Sequence, residues 1–146
     1  MRVFLDTNIL LDVLIPGRPS AKLSQTIFQL IRTTSTEGYL STQSILDAAY
    51  VVSRCPGFDI SSFRKSINTI FKFVNVDGIN YFSISDAIKA SEIDDIEDCA
   101  QAFFAEENYC DIIITNDSGF RLPSTIAHIQ TMSPKDFISQ VQHEQR

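Results

Sequence analysis

Apolar and polar positions along this chain change their period many times. Arg2-Val3-Phe4-Leu5 is a short apolar run of strand type that ends on Asp6. Asn8 to Leu14 is an apolar helical segment stopped by Pro16-Gly17, and Ser20 to Thr34 carries Leu23, Ile27, Leu30 and Ile31 at helical spacing, with Gly38 as its expected terminator. Tyr39-Leu40 follows as a short strand. Thr42 or Ser44 then caps a helix through Ile45, Ala48, Ala49 and Val52 that stops at Cys55-Pro56-Gly57, and a further helix fits Ser61 to Phe73. Phe73-Val74-Asn75-Val76 has strand character, and Ser85 to Ser91 helix character. Asp94-Asp95 opens another helix: acids in a first turn complement the helix dipole, and Ile96, Cys99, Ala100 and Phe103 supply its buried face out to Asn108. Ile112 to Thr115 and Ala127-His128-Ile129-Gln130 are the last strands, and Ser133-Pro134-Lys135-Asp136 starts a final helix with a capping serine, proline next and an acid three on.

Strands alternating with helices imply the α/β class, with a mostly parallel sheet covered on both faces. No linker, repeat or low-complexity tract interrupts the pattern, so residues 1–146 are expected to form one domain. In open parallel sheets, ligands bind at the carboxyl ends of the strands. Asp6 ends the first strand and Asp117 follows the strand Ile112 to Thr115, so both belong to that edge. Asp98 lies one helical turn after Asp95, beside an apolar face, where two like charges are awkward unless something binds them. Asp47 falls with Ser44 and Val51 on its helix, away from the centre of the apolar face, which by itself is the place of an exposed acid. Carboxylates brought into one pocket repel each other, and a hard cation such as Mg2+ or Mn2+ relieves that repulsion. Each position also has a plainer reading. Asp6 serves equally as a helix cap, Asp95 as a surface first-turn acid, and Asp117 as part of a polar turn.

Composition narrows the partners. An apolar fraction of 44% with 21% charged residues is that of a globular protein. No apolar stretch approaches the roughly twenty residues of a membrane span, and Asp6-Thr7-Asn8 interrupts any secretion signal, so the cytoplasm is the expected location. Cys55, Cys99 and Cys110 are too few and too irregular for a disulfide framework or a zinc site. The net charge of -6 argues against a generic nucleic-acid binder. It leaves room for a nuclease, because bound cations invert the sign of an acidic pocket. Arg18, Lys22, Arg54, Arg64, Lys65 and Arg121 are candidates for a basic rim, though each is individually an ordinary solvated charge.

Taken together, these segments resemble the PIN-domain ribonucleases, many of which are VapC-type toxins of toxin-antitoxin pairs. Val3-Phe4-Leu5-Asp6-Thr7-Asn8-Ile9-Leu10-Leu11-Asp12 looks like the first motif of that family, and Ser41-Thr42-Gln43-Ser44-Ile45-Leu46-Asp47-Ala48-Ala49-Tyr50-Val51 like the second. Asp95-Ile96-Glu97-Asp98-Cys99-Ala100-Gln101 looks like the third, and Asp111-Ile112-Ile113-Ile114-Thr115-Asn116-Asp117-Ser118-Gly119-Phe120 like the fourth. Met132-Ser133-Pro134-Lys135-Asp136-Phe137 is similar to the lead into the last helix of relatives. The resemblance implies a three-layer α/β/α sandwich with a central, mostly parallel sheet of about five strands. One position departs from the family pattern: the second motif usually carries Glu, and Asp47 is shorter by one methylene.

The chemistry implied is metal-assisted hydrolysis of RNA phosphodiester bonds, with Asp6, Asp98, Asp117 and Asp47 as catalytic carboxylates holding one or two Mg2+ or Mn2+ ions. Asn8, Thr115 and Ser118 would orient carboxylates and waters, with Asp95 joining or tuning the site. Asp47 would reach the metal through water. His128 and His143 adjoin no acidic motif and are not needed as bases. An antitoxin protein is an implied partner, and a homodimer is a further expectation, with the Phe58 to Phe73 stretch as its apolar face. Two other classes compete: an aspartate-based phosphotransfer module, and a PIN-like domain that kept the fold without turnover. Against the first, Asn8 stands where the phosphatase motif has a second Asp, and no late strand ends in a phosphate-reading Lys.

Overall fold

The computed structural model describes residues 1–144. Five parallel strands form its sheet in the order β3-β2-β1-β4-β5, where β1 is Arg2–Leu5, β2 Glu37–Ser41, β3 Val74–Asp77, β4 Ile112–Ile114 and β5 Gln130–Met132. Seven helices connect and flank them: α1 (Thr7–Leu14), α2 (Ala21–Thr33), α3 (Thr42–Val52), α4 (Ile60–Ile70), α5 (Tyr81–Lys89), α6 (Ile96–Glu107) and α7 (Pro134–Glu144).

Side chains alternate across a strand, and here the alternation divides the core in two. Val3, Leu5, Leu40, Ile112 and Ile114 face one side, packing with residues of α1 to α4 and α7 such as Leu10, Ile27, Ala48, Ile67 and Phe137. Phe4, Tyr39 and Ile113 face the other, against Phe103 and Phe104 of α6, Ala87 of α5 and Ile126 and Ile129 beyond β4. This is the three-layer α/β/α sandwich that the resemblance implied, with the parallel sheet covered on both faces as the alternating pattern requires. The chain winds outward from β1 in both directions, to β2 and β3 on one side and to β4 and β5 on the other. The switch in strand order therefore lies between β1 and β4, and a crevice opens at the carboxyl ends of those two strands.

Several boundaries differ from the sequence expectation. Gly38 does not terminate a helix: α2 ends at Thr33, and Gly38 lies within β2 opposite Val3 and Val74. The strand passes so close to α2 that a Cβ on Gly38 would sit 2.7 Å from Ile31 Cδ1, so the glycine is there for close approach. α3 is capped by Ser41, whose hydroxyl accepts from the Ser44 amide, rather than by Thr42 or Ser44. α5 begins four residues before Ser85, because the Asn80 side chain accepts from the Phe82 and Ser83 amides and caps it there. The last strand is Gln130–Met132, not Ala127 to Gln130, since pairing with β4 sets its register. Ile96, expected on the buried face of α6, is 48% exposed as the first residue of that helix. Within the Phe58 to Phe73 stretch, Phe63 and Phe73 pack against the core. Ile60 and Phe71 of that stretch are exposed, and further exposed apolar side chains lie on α5 (Tyr81, Phe82, Ile84, Ile88) and α3 (Leu46, Tyr50).

Candidate active site

At the end of β1 the chain leaves the sheet and turns directly into α1, and Asp6 is both the last strand-side residue and the helix cap. The cap and the site are the same group. Its carboxylate is buried; Oδ1 accepts from the Thr7 amide at 2.7 Å, and Oδ2 accepts from the Thr115 hydroxyl at 2.6 Å and the Asn8 amide nitrogen at 2.9 Å. Burial raises the Asp6 pKa, these three donors oppose that, and the charge of Asp117 adds to the rise. Thr115, one residue past β4, is the hub of the arrangement. Besides donating to Asp6, its hydroxyl accepts from the Asp117 amide at 3.0 Å and from Asn8 Nδ2 at 3.3 Å. Asp117 lies in the exposed turn that follows, with Oδ1 accepting from the Gly119 amide at 2.8 Å. A groove of about 250 Å³ lined by Thr115, Asn116, Asp117, Phe120 and Met132 opens beside it.

α6 brings the third acid from the opposite layer. Asp95 caps that helix, accepting from the Asp98 amide at 3.0 Å, and so fixes the first turn that presents Asp98. The Asp98 carboxyl is pushed up to about 7, first by its own burial and then by the negative charges of Asp95, Asp6, Asp117 and Glu97. Asp6, Asp98 and Asp117 thus come from three separate elements into one mutually repelling group, with Asp95 at its margin.

Asp47 stands slightly apart. Its Oδ1 accepts from Gln43 Nε2 at 2.7 Å, while Oδ2 is buried with no hydrogen-bond partner among the described residues. The carboxyl facing it is Glu97, whose pKa is raised by burial first, then by contact with Asp47 and by the charges of Asp95 and Asp6. Glu97 also accepts from Gln101 Nε2, and Gln101 accepts from Ser44, which in turn accepts from Thr7. Asp47 is therefore half-buried rather than an exposed helix acid, and Glu97 bridges it to the rest. Ser118 is exposed and makes no side-chain hydrogen bond among the described residues. Among those residues no three acidic, histidine or cysteine side chains stand close enough together to hold an ion as they are.

The sequence reading overlooked Glu97, Ser44, Gln101, Asp12 and Asn116. A signal existed for two of them. Asp12 is a charge inside the apolar helical run Ile9 to Leu14, and Glu97 is four residues before Gln101 on the same helix face. Asp12 is 3% exposed and accepts from Arg18, Ser24 and Asn116, so its burial is fully compensated.

A family model described as "PIN domain" matches residues 2–119, which span all of the acids above. The chain belongs to the PIN-domain family. Ribonuclease VapC1 of Aquifex aeolicus is 24% identical over 143 residues, covering 93% of this chain and 92% of that protein. VapBC2 of Rickettsia felis, solved bound to a DNA fragment from its promoter, superposes with a TM-score of 0.63 at 15% identity, over 91% of this chain and 98% of that one. Mycobacterium tuberculosis VapC20, a toxin that cleaves the sarcin-ricin loop, gives 0.64 at 12% identity, over 81% of this chain and 92% of that one. At such identities the solved structures speak for the fold. PIN-domain membership sets the phosphotransfer module aside.

Proposed function

We propose that this PIN domain is a divalent-metal-dependent endoribonuclease, the toxin of a toxin-antitoxin pair. The observation that carries the reading is the convergence of Asp6, Asp98 and Asp117 from three elements, where burial first and then the charges of Asp95, Asp6, Asp117 and Glu97 push the half-buried Asp98 carboxyl up to about 7. A folded protein gains nothing for its own stability from gathering these charges. The donor set is all oxygen and hard, which suits Mg2+ or Mn2+ rather than a soft metal. Asp6, Asp98 and Asp117 would hold the cation, with Asp47 and Glu97 on its outer side. When bound, such an ion supplies Lewis acidity at the phosphoryl group and lowers the pKa of a coordinated water.

The chain's own residues set the geometry. The Thr115 hydroxyl and Asn8 amide lock the rotamer of Asp6, and Thr115 also holds the backbone of Asp117, so two carboxylates from different strands are oriented by one side chain. Asp95 holds the first turn of α6 and with it Asp98. His128 and His143 are both exposed and take no part. RNA would enter along the groove beside Asp117. VapBC2 of Rickettsia felis, a similarly folded protein solved bound to promoter DNA, supports an antitoxin partner here, and the exposed apolar side of α5 suits such a partner or a second copy. No helix among the described residues is long and apolar enough to cross a membrane. The cytoplasm, where RNA targets are found, remains the proposed site of action.

The test is cleavage of single-stranded and structured RNA with Mn2+ and with EDTA. Wild type is expected to cut only with metal, and Asp6→Asn and Asp98→Asn to lose cleavage while keeping the fold. Metal binding without turnover in wild type would instead favour a non-catalytic PIN-like domain.

A further inference from the structure

A ribonuclease with a net charge of -6 needs a cation near its acidic crevice to receive the backbone of its substrate. Three of the arginines are engaged with other side chains. Arg54 stacks on Tyr50 with its guanidinium carbon 3.6 Å from the ring centroid, Arg32 lies over Phe73, and Arg2 pairs with Glu37. Arg18 differs from these. It follows the Pro16-Gly17 turn, where Gly17 holds a φ of +81° that an L side chain resists, so the backbone leading to Arg18 has a defined path.

The Arg18 Nε donates to Asp12 Oδ1 at 2.7 Å. The other oxygen of Asp12 accepts from Ser24 Oγ at 2.7 Å and from Asn116 Nδ2 at 2.8 Å. Asn116 immediately precedes Asp117, and its backbone amide donates to Asn8 Oδ1 while the Asn8 amide nitrogen donates to Asp6. One buried carboxylate thus fastens the guanidinium of Arg18 to the turn that carries Asp117. Only Nε is used. Among the described residues the two Nη groups of Arg18 donate to no protein acceptor, and the side chain is 33% exposed. A guanidinium whose Nε is fixed by a buried carboxylate, with both Nη groups turned loose, is a preformed fork for a phosphate.

We propose that Arg18 is an RNA-phosphate anchor on the Asn116 side of the acidic crevice, with Asp12 as its positioning residue. The proposal rests on the ribonuclease reading. Arg18 takes a phosphate away from the scissile one, sets the register of the strand across Asp117, and contributes to substrate binding rather than to the metal site. Asp12 orients the guanidinium and neutralises part of its charge, so the anchor is specific in direction rather than merely attractive.

The experiment measures binding of a single-stranded RNA oligonucleotide to the full chain in EDTA, across a salt series, for wild type, Arg18→Gln, Arg18→Ala and Lys89→Ala. Lys89 is an exposed residue on α5 and removes the same unit of charge. Arg18→Gln keeps an amide donor for Asp12, so the fold is preserved even if Arg18→Ala unfolds. Arg18→Gln is expected to weaken RNA about five- to tenfold and to lower the salt slope by about 1, while Lys89→Ala changes affinity less than about twofold. Mn2+ affinity should be unchanged in all of them, and in cleavage the effect should fall on KM. Arg18→Gln that binds RNA like Lys89→Ala with an unaltered salt slope overturns the anchor and leaves Arg18 as the structural partner of Asp12, with the ribonuclease reading intact. Wild type that neither binds nor cleaves RNA removes that reading, and the anchor with it.

Discussion

Replacing Asp98 by Asn is the perturbation whose size and sign follow most directly from the structure. The Asp98 pKa moves from 3.8 to about 7, a rise of about three units, caused first by burial and then by four neighbouring acids. At about 1.4 kcal/mol per unit the ceiling is about 4 kcal/mol of destabilisation once the group ionises. Asp98 is only half-buried, so solvent screening reduces this to about 1–2 kcal/mol. The sign follows from linkage: a carboxyl with a raised folded pKa binds its proton more tightly in the native state. Its contribution is fully present below about pH 4 and is lost as pH rises through about 7. Asn keeps the shape and cannot ionise. In EDTA, Asp98→Asn should match wild type near about pH 4 and exceed it by about 1–2 kcal/mol near about pH 8, roughly 3–6 °C in Tm for a chain of this size. Thermal melts at the two pH values measure this directly. Added Mn2+ should then reverse the order at the higher pH, because wild type gains a ligand and Asp98→Asn does not. A stability difference that is the same at both pH values, or a variant no more stable than wild type at the higher one, would refute the argument that Asp98 is held among like charges.

Two more outcomes are expected. Asp47→Glu should keep or raise metal affinity and cleavage, because the longer arm carries the buried, unpartnered Oδ2 toward the cluster, whereas Asp47→Ala should lower activity about ten- to a hundredfold; metal titration and RNA cleavage that leave both variants at wild-type level would exclude Asp47 from the site. Gly38→Ala should destabilise by about 1–3 kcal/mol because its Cβ meets Ile31 Cδ1 at 2.7 Å, and Ile31→Val, which deletes that methyl, should recover part of the loss in denaturant melts of the double variant.

The sequence by itself determined the α/β class, the parallel sheet covered on both faces and the place of Asp6 and Asp117 at its carboxyl edge. Asp6 and Asp117 were legible because each follows an uninterrupted apolar strand, and a parallel sheet presents such residues at one edge. Asp95 and Asp98 were legible because a first helical turn of acids beside an apolar face is costly without a ligand. What sequence reasoning could not supply was every feature set by contact between distant segments. Gly38 looked like a helix stop because local rules read glycine as punctuation, and only the packing of β2 on α2 makes it a point of close approach. Asp12 looked like part of a helix, yet burial beneath Arg18, Ser24 and Asn116 makes it the link between three elements. Asp47 looked like a solvent-facing acid, and only the tertiary structure buries its Oδ2 and brings Glu97 of α6 against it. Periodicity reports which face of an element is apolar. It carries no information on which polar group from another element arrives opposite, and in this protein those arrivals decide the charge state of the crevice.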